Sequence, residues 1–467
     1  MTGPLPGAQD APILDHFFGS DAMRNLFSQR AQLQAWLDVE AALARAQGDL
    51  GLIPAEAAAA IGRAARIDGL DLSGIAAGVA TSGHPLVPLV RALTAAAGTE
   101  AGRYVHLGAT TQDVMDTGYM LLARDGLDLV GDQLARFGEV LRPLALRYKT
   151  TPMAGRTHGQ HALPTTFGLR VAGWLEEVGR HLERLIAMRP RVLVGSFGGA
   201  AGTLAGYGRR ALELRAAVMR ELDLGESGAS WHASPDRFAE CLSLFGLIAA
   251  TSEKLAREIY FLGRTEIGEL FEGQGDGQVG SSTMPQKRNP IRSEAIMAAA
   301  QMVRAQVPAA LGAMVAQDDR DMGAGIVLWR LVPEIFILTG GILERLNEVF
   351  AGLRVDTDAM AHNLTATDGR ILSEAVMLRL ADSMGRPDAH RAVTEAVREA
   401  DTSRTPFVDC LVRHREISPH LSRREIERLL DPDQYLGAAP AIVDAVTRSY
   451  SDIDDAWRTR TWRTKSS

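Results

Sequence analysis

The sequence predicts an all-α protein, with a long central bundle of five helices flanked by two smaller helical domains. Three observations carry this. Apolar residues recur at steps of three and four over unusually long stretches. The Val/Ile/Thr/Tyr alternation of strands is scarce, and aromatics make up only 6% of the chain. The length of 467 residues suits about three domains, or one large core with two attachments. That length also buries a sizeable core without metals or disulfides.

Residues 1–105 read as an N-terminal domain of shorter helices. Leu33, Trp36, Leu37 and Ala41 mark one of them, and Pro54 opens the next at its first turn. Residues 106–355 form the predicted bundle. From Phe167 the apolar positions run Phe167, Val171, Trp174, Val178, Leu182 and Leu185, one continuous helical stripe. The stripe predicts a helix over 164–190, far longer than the usual ~11–12 residues. Segments 109–149, 234–271, 290–318 and 325–353 read the same way. Five such helices imply a bundle with a narrow shared core. Near residue 355 the chain leaves the bundle. Residues 356–467 carry short helices broken at Pro387, Pro406, Pro419, Pro432 and Pro440.

Charge and composition exclude several classes of function. There are 50 basic and 57 acidic residues, a formal net charge of −7, and no basic tail or face. Nucleic-acid binding is therefore disfavoured. The two cysteines, Cys241 and Cys410, are too few for a disulfide framework or a four-ligand zinc site. They are expected to be buried small hydrophobes in a reducing compartment. The N-terminus lacks the basic and apolar regions of a signal peptide. No apolar stretch of about 18 residues is free of charge, so no membrane span is expected. A cytoplasmic protein is the expectation. Nothing in the sequence calls for a metal or an organic cofactor.

Three features interrupt the helical pattern. Gly195–Gly208 fits neither the dinucleotide nor the P-loop spacing and follows no strand, so close packing is its expected role. Residues 272–280 place glycine at 273, 275, 277 and 280, which predicts a mobile lid. Directly after it comes GSSTMPQKRNP at 280–290, with Glu294 four residues further on. A serine hydroxyl becomes a base only when nearby cations or N–H groups stabilise its alkoxide. A loop entering a helix N-terminus offers such N–H groups and favours a developing anion. Lys287 and Asn289 supply a charge and an amide for a substrate carboxylate. The Ser-x-x-Lys nucleophile motif does not fit this spacing. Asp113 and Asp116 are expected to cap a helix rather than hold a metal. Asp318, Asp319 and Asp321 read as a solvated helix end.

GSSTMPQKRNP resembles the signature of the fumarase/aspartase superfamily, roughly GSSxMPxKxN. Gly108–Thr117 (GATTQDVMDT) resembles the superfamily's first block, and Gly155–Pro164 (GRTHGQHALP) its second. The blocks follow in the expected order, and the resemblance covers nearly the whole chain. The superfamily's central bundle between two smaller helical domains agrees with the periodicity. Two subgroups compete. The N-terminal stretch from Phe17, HPLVPLVRAL at 84–93, FGGAAGTLAG at 197–206 and WHASPDRF at 231–238 resemble 3-carboxy-cis,cis-muconate cycloisomerase. Adenylosuccinate lyase is similar over the same span, and LLDPDQYLG at 429–437 resembles both. His158 and His84 stand where lyases of this superfamily place catalytic histidines.

The resemblance implies a set of roles. Ser281 is the base that removes the proton beside a substrate carboxylate, with Ser282 as its rival. His158 donates a proton to the leaving group, and His84 shares that role. Glu294 orients His158 and raises its pKa. Thr110, Thr111 and Gln160 hydrogen-bond carboxylate oxygens, as do Lys287 and Asn289, and Arg320 adds a positive charge. His106, His161 and His232 are expected to be structural. The implied substrate is a small di- or tricarboxylate. The first reading is a lyase that releases fumarate from a substituted succinate. The second is a cycloisomerase that forms a lactone. A non-catalytic helical scaffold is the third. The resemblance also implies a homotetramer with a twenty-helix bundle and sites shared between subunits.

Overall fold

The computed structural model describes residues 14–273, 284 and 286–460. Helix α1 (Gln29–Asp49) starts where the Ser28 side chain accepts the Ala31 N–H at 3.2 Å, a serine N-cap. The five long helices follow as α2 (Thr111–Arg147), α3 (Phe167–Val192), α4 (Asp236–Leu262), α5 (Ile291–Gly312) and α6 (Met322–Ala351). All five stretches of apolar periodicity are therefore helices. Pro387 and Pro440 stand in the first turns of the helices Arg386–Ser403 and Ala439–Arg458, the latter α7, where a missing N–H costs nothing.

Two departures from the sequence reading matter for the site. Strands β1 (Pro152–Thr157) and β2 (Gln160–Thr166) form an antiparallel hairpin just before α3. Residues 164–166, expected to open the helix, instead pair with β1. The Thr166 hydroxyl then accepts the Leu169 N–H at 3.0 Å and starts α3. The second departure is the end of α4 at Leu262 rather than near 271. Gly263 follows at once and Gly268 takes φ +67°, so the chain turns into strand β3 (Leu270–Phe271), antiparallel to β4 (Arg354–Val355).

The chain divides into two compact units. One comprises Met1–Leu134, Glu183–Lys254 and Ala295–Leu346; the other comprises Ala135–Leu182, Leu255–Glu294 and Asn347–Ser467. In the first unit, Phe336 meets Phe27 and Phe245 at centroid distances of 4.8 and 4.6 Å. In the second, Phe350 meets Phe137 and Trp174 edge-on at 5.2 and 5.7 Å, geometries that aromatic quadrupoles favour. The short C-terminal helices bury Phe407, Cys410 and Leu411 in a core of their own. Both Cys241 and Cys410 are free, buried thiols, and burial pushes both thiol pKa values up. Among the described residues α6 alone is long and apolar enough to cross a membrane. Of its most apolar window, 61% is buried inside the protein, which accounts for its composition as that of a core helix.

Helix α7 crosses α2 at Gly138. The Tyr450 hydroxyl there donates to the Ala135 carbonyl at 3.2 Å, and a Cβ on Gly138 would lie 1.8 Å from that hydroxyl. Gly138→Ala is therefore expected to destabilise the protein by about 1–3 kcal/mol through overpacking. Urea unfolding checks this: the midpoint should fall, and an unchanged midpoint would show that α7 moves aside at no cost.

Candidate active site

The first group of candidate residues lies in the first unit, at the N-terminus of α2. Thr110 precedes the helix, and its N–H donates to Asp113 Oδ2 at 3.0 Å, so Asp113 caps the helix as expected. The same carboxylate accepts the Gly198 and Gly199 N–H groups at 2.7 and 3.0 Å. His232 Nε2 lies 3.0 Å from Asp113 Oδ1, and Ser230 Oγ lies 3.1 Å from His232 Nδ1. Asp113 thus fixes the glycine-rich turn against the helix start. Those backbone donors are used internally, which agrees with the packing role expected for Gly195–Gly208.

One turn further on, Asp116 is buried. It accepts Trp329 Nε1–H at 2.8 Å and Gln112 Nε2–H at 2.9 Å. Burial outweighs both hydrogen bonds and pushes its pKa up to about 6. The indole so held faces His84 edge-on, with centroids 6.5 Å apart. His84 Nδ1 accepts the Leu86 N–H at 3.2 Å, so in the neutral ring the proton sits on Nε2. Burial lowers the His84 pKa, and the positive charges of Arg320 and His106 lower it further. Arg320 donates to the Thr110 hydroxyl. Thr110, Arg320 and His84 are thus neighbours, with Thr111 opening α2 beside them.

The second group lies in the second unit. His158 and Gly159 form the two-residue turn of the hairpin, with Thr157 paired to Gln160. Their φ values are +53° and +75°, and positive φ at both central positions is what a type I′ turn requires. The turn puts the His158 and Gln160 side chains in solvent. Below the tip, Arg156 forms a two-pronged ion pair with Glu269, at 3.0 and 2.6 Å. The Glu269 side chain is fully buried and also accepts the Asn363 amide at 2.7 Å. Pairing shifts register between Ala154 and Arg156, where a Cβ on Gly155 would meet the Leu163 carbonyl at 2.6 Å. That bulge re-aims the strand just before Arg156.

Lys287, Asn289 and Glu294 line a cavity of about 1210 Å³, together with Arg264, Arg288 and Arg354. The N-terminus of α5 needs a correction. Its N–H groups were expected to face a developing anion, but Glu272 takes them. The Glu272 carboxylate accepts the Ser293 N–H at 2.6 Å and the Arg292 N–H at 3.3 Å. Ser281, its rival Ser282 and residues 274–280 of the expected lid lie outside the described residues. Among the described residues, no hydrogen bond or ion pair joins Glu294 to His158, and both side chains are exposed.

The other singled-out groups are structural in their contacts. His106 Nδ1 lies 2.5 Å from buried Glu40, and His232 is enclosed beside Asp113. His161 is half-buried, and burial followed by the charge of Arg156 lowers its pKa. Asp321 accepts the Gly323 and Ala324 N–H groups at 2.9 and 3.2 Å, a cap on α6. Among the described residues no cluster of three or more His, Cys, Asp or Glu side chains could hold a metal ion. The sequence reading missed Arg156, Glu269 and Glu272. Arg156 stands inside the GRTHGQ block, but nothing local marks its distant partner.

The chain is similar to known proteins over most of its length. A family model described as Lyase matches residues 18–305, and one described as Adenylosuccinate lyase C-terminus matches 369–446. A 3-carboxy-cis,cis-muconate cycloisomerase from Pseudomonas aeruginosa is 43% identical over 92% of this chain and 95% of its own. An N-acetyl-S-(2-succino)cysteine lyase from Enterococcus italicus is 40% identical over 97% of both chains. The solved 3-carboxy-cis,cis-muconate lactonizing enzyme of Pseudomonas putida superposes with a TM-score of 0.89 at 39% identity, covering 94% of this chain and 99% of that one. Fold and relatives together define an all-α enzyme of the lyase type. The chain belongs to the fumarase/aspartase, or fumarate lyase, superfamily, whose members act on small carboxylates.

Asp116 generates a pH prediction. The folded protein keeps this proton up to about pH 6, whereas the ordinary value is 3.8. Between those values the folded state binds more protons than the unfolded, so this group's contribution to stability is lost as pH rises from about 4 to about 6. A shift of this size corresponds to about 3 kcal/mol. Asp116→Asn should remove that slope. Urea unfolding of both proteins across the window checks this, and parallel curves would show that Asp116 ionises normally.

Proposed function

We propose that this protein is a lyase that eliminates a leaving group from a substituted succinate, of the N-substituted aspartate or nitrosuccinate type, and releases fumarate. The observation that carries the reading is His158: an exposed imidazole held at φ +53°, where glycine or asparagine would fit with less strain. Strained conformers of this kind persist where their surroundings over-determine them, and they cluster at working sites.

Ser281 takes the proton from the carbon next to a carboxylate. The C–H electron pair moves into that carboxylate, and Lys287 and Asn289 stabilise the resulting dianion. The bond to the leaving group then breaks, its electron pair departs with that group, and the dianion's electrons form the double bond. His158 gives the departing group a proton, with Glu294 orienting it. His84, with its proton on Nε2, donates to the same end of the substrate. Arg320, Thr110, Thr111 and Gln160 hold the carboxylates.

The second reading, a cycloisomerase, is favoured by the 43% identity to the Pseudomonas aeruginosa enzyme. The two reactions share their first half. Lactonisation, run backwards, is an elimination in which the leaving group is the substrate's own carboxylate. A carboxylate is stable without a proton at neutral pH, whereas an amine must receive one. An acid at position 158 is therefore needed for amine loss and dispensable for the lactone.

The reading includes a homotetramer with sites completed between subunits. Its support is that the candidate residues fall in two separate units, and that among the described residues no hydrogen bond or ion pair joins Glu294 to His158 in one chain. Apolar side chains are also left in solvent on and beside the long helices, Val315 at 81% exposure and Ile326 at 56%. In such an assembly residues 106–355 supply the shared bundle, and residues 1–105 and 356–467 supply the flanking domains. Two buried free thiols suit a reducing, cytoplasmic setting.

Proton NMR with a substrate panel tests the reaction: adenylosuccinate, argininosuccinate, aspartate, nitrosuccinate, malate, N-acetyl-S-(2-succino)cysteine and 3-carboxymuconate. Fumarate is expected from a substituted succinate, with Ser281→Ala slowing turnover by about 10²–10⁴-fold. A lactone from 3-carboxymuconate, with no fumarate from the rest, would establish the second reading instead. The assembly has its own test. Arg320→Ala and His158→Ala proteins, each impaired alone, should recover activity when unfolded and refolded together. Recovery requires sites built from different chains, and a mixture no better than its components would count against sharing.

A further inference from the structure

We propose that Glu269 and Glu272, on either side of strand β3, are positioning residues that hold the His158 hairpin and the start of α5 in fixed register. The inference rests on the reading above, in which His158 and Lys287 serve one reaction.

The contacts of the two carboxylates support it. Glu269 receives both prongs of Arg156, two residues before the hairpin tip, and also the Asn363 amide. Its own backbone is tied as well: its N–H donates to the Leu262 carbonyl at 2.8 Å, and its carbonyl accepts the Asp356 N–H at 2.9 Å. A hairpin of two strands is marginal by itself in water. This anchor gives its tip a fixed base. Glu272, three residues on, binds the first turn of α5 through the Ser293 and Arg292 N–H groups. The Arg292 side chain returns the contact, donating to the Gly273 carbonyl at 3.2 Å and pairing with Glu348 at 3.1 Å. Gly273 is pressed against the chain at Gly352, where a Cβ would lie 2.3 Å from the Gly352 carbonyl. The four-residue segment 269–272 is therefore pinned at both ends. One end carries the strand leading to His158, the other the helix that follows Lys287 and Asn289.

A positioning carboxylate differs from a merely stabilising one in a measurable way. Its loss should cost turnover through the group it positions, and should cost nothing further once that group is gone. With the substrate that the wild type turns over, Glu269→Gln is expected to lower kcat about tenfold while KM moves less than about threefold. In a His158→Ala background the same change should cost less than about twofold. Glu272→Gln should behave alike against Lys287→Ala. Asn363→Ala, which leaves the Arg156 pair intact, should act in the same direction as Glu269→Gln but more weakly, and it serves if Glu269→Gln fails to fold. Equal losses in both backgrounds would overturn the proposal. Amide hydrogen exchange reads the geometry without any substrate. Glu269→Gln should speed exchange over residues 156–161, and Glu272→Ala at Arg292 and Ser293; unchanged exchange at both places would also overturn it. A wild-type protein inert towards the whole panel counts against the functional reading instead, and leaves the exchange test in force.

Discussion

A carboxylate removed from water must be met by donors, and this protein depends on that constraint at three buried points and one half-buried one. Asp113, Asp116, Glu269 and Glu272 each join elements far apart in sequence. Removing one partner from a buried ion pair such as Arg156–Glu269 typically costs about 3–5 kcal/mol, because a charge is left stranded. The long helices supply bulk burial, which is non-directional and tolerant of small shifts. The carboxylates supply direction. They fix where α2 begins, where the hairpin tip stands and where α5 starts, which are also the places that carry the candidate chemistry.

The two units solve the same problem with different electrostatics. Around Asp116 and His84 the groups drift towards neutrality: burial raises the acid and lowers the imidazole. A neutral histidine with a fixed tautomer is a hydrogen-bond donor of constant character across the physiological range. The hairpin histidine stands in solvent at the turn.

Much of this was legible in the sequence. Steps of three and four placed all five long helices because a buried helical stripe leaves no freedom in spacing. The blocks at 108–117, 155–164 and 280–290 carried the family resemblance, and the family models match residues 18–305 and 369–446. The hairpin was not legible, since β-pairing is a tertiary property and the six-residue β1 carries a glycine bulge instead of clean alternation. The capping of α5 was not legible either. Its acceptor, Glu272, stands some twenty residues before the N–H groups it binds and looks like any surface acid. Local rules read caps from adjacent residues, so a cap supplied from a distance leaves no local mark.

The two thiols have a practical consequence for spectroscopy. Cys241 and Cys410 are the whole cysteine content of the chain, and both are buried with raised pKa values. Thiolates, not thiols, react with maleimides and methanethiosulfonates. The native protein is therefore close to silent towards such reagents without any mutation. A single cysteine installed on the solvent face of the hairpin would be the one fast-labelling position. A spin label there, in an assembly of several copies, would report the spacing between hairpins directly as a set of dipolar distances.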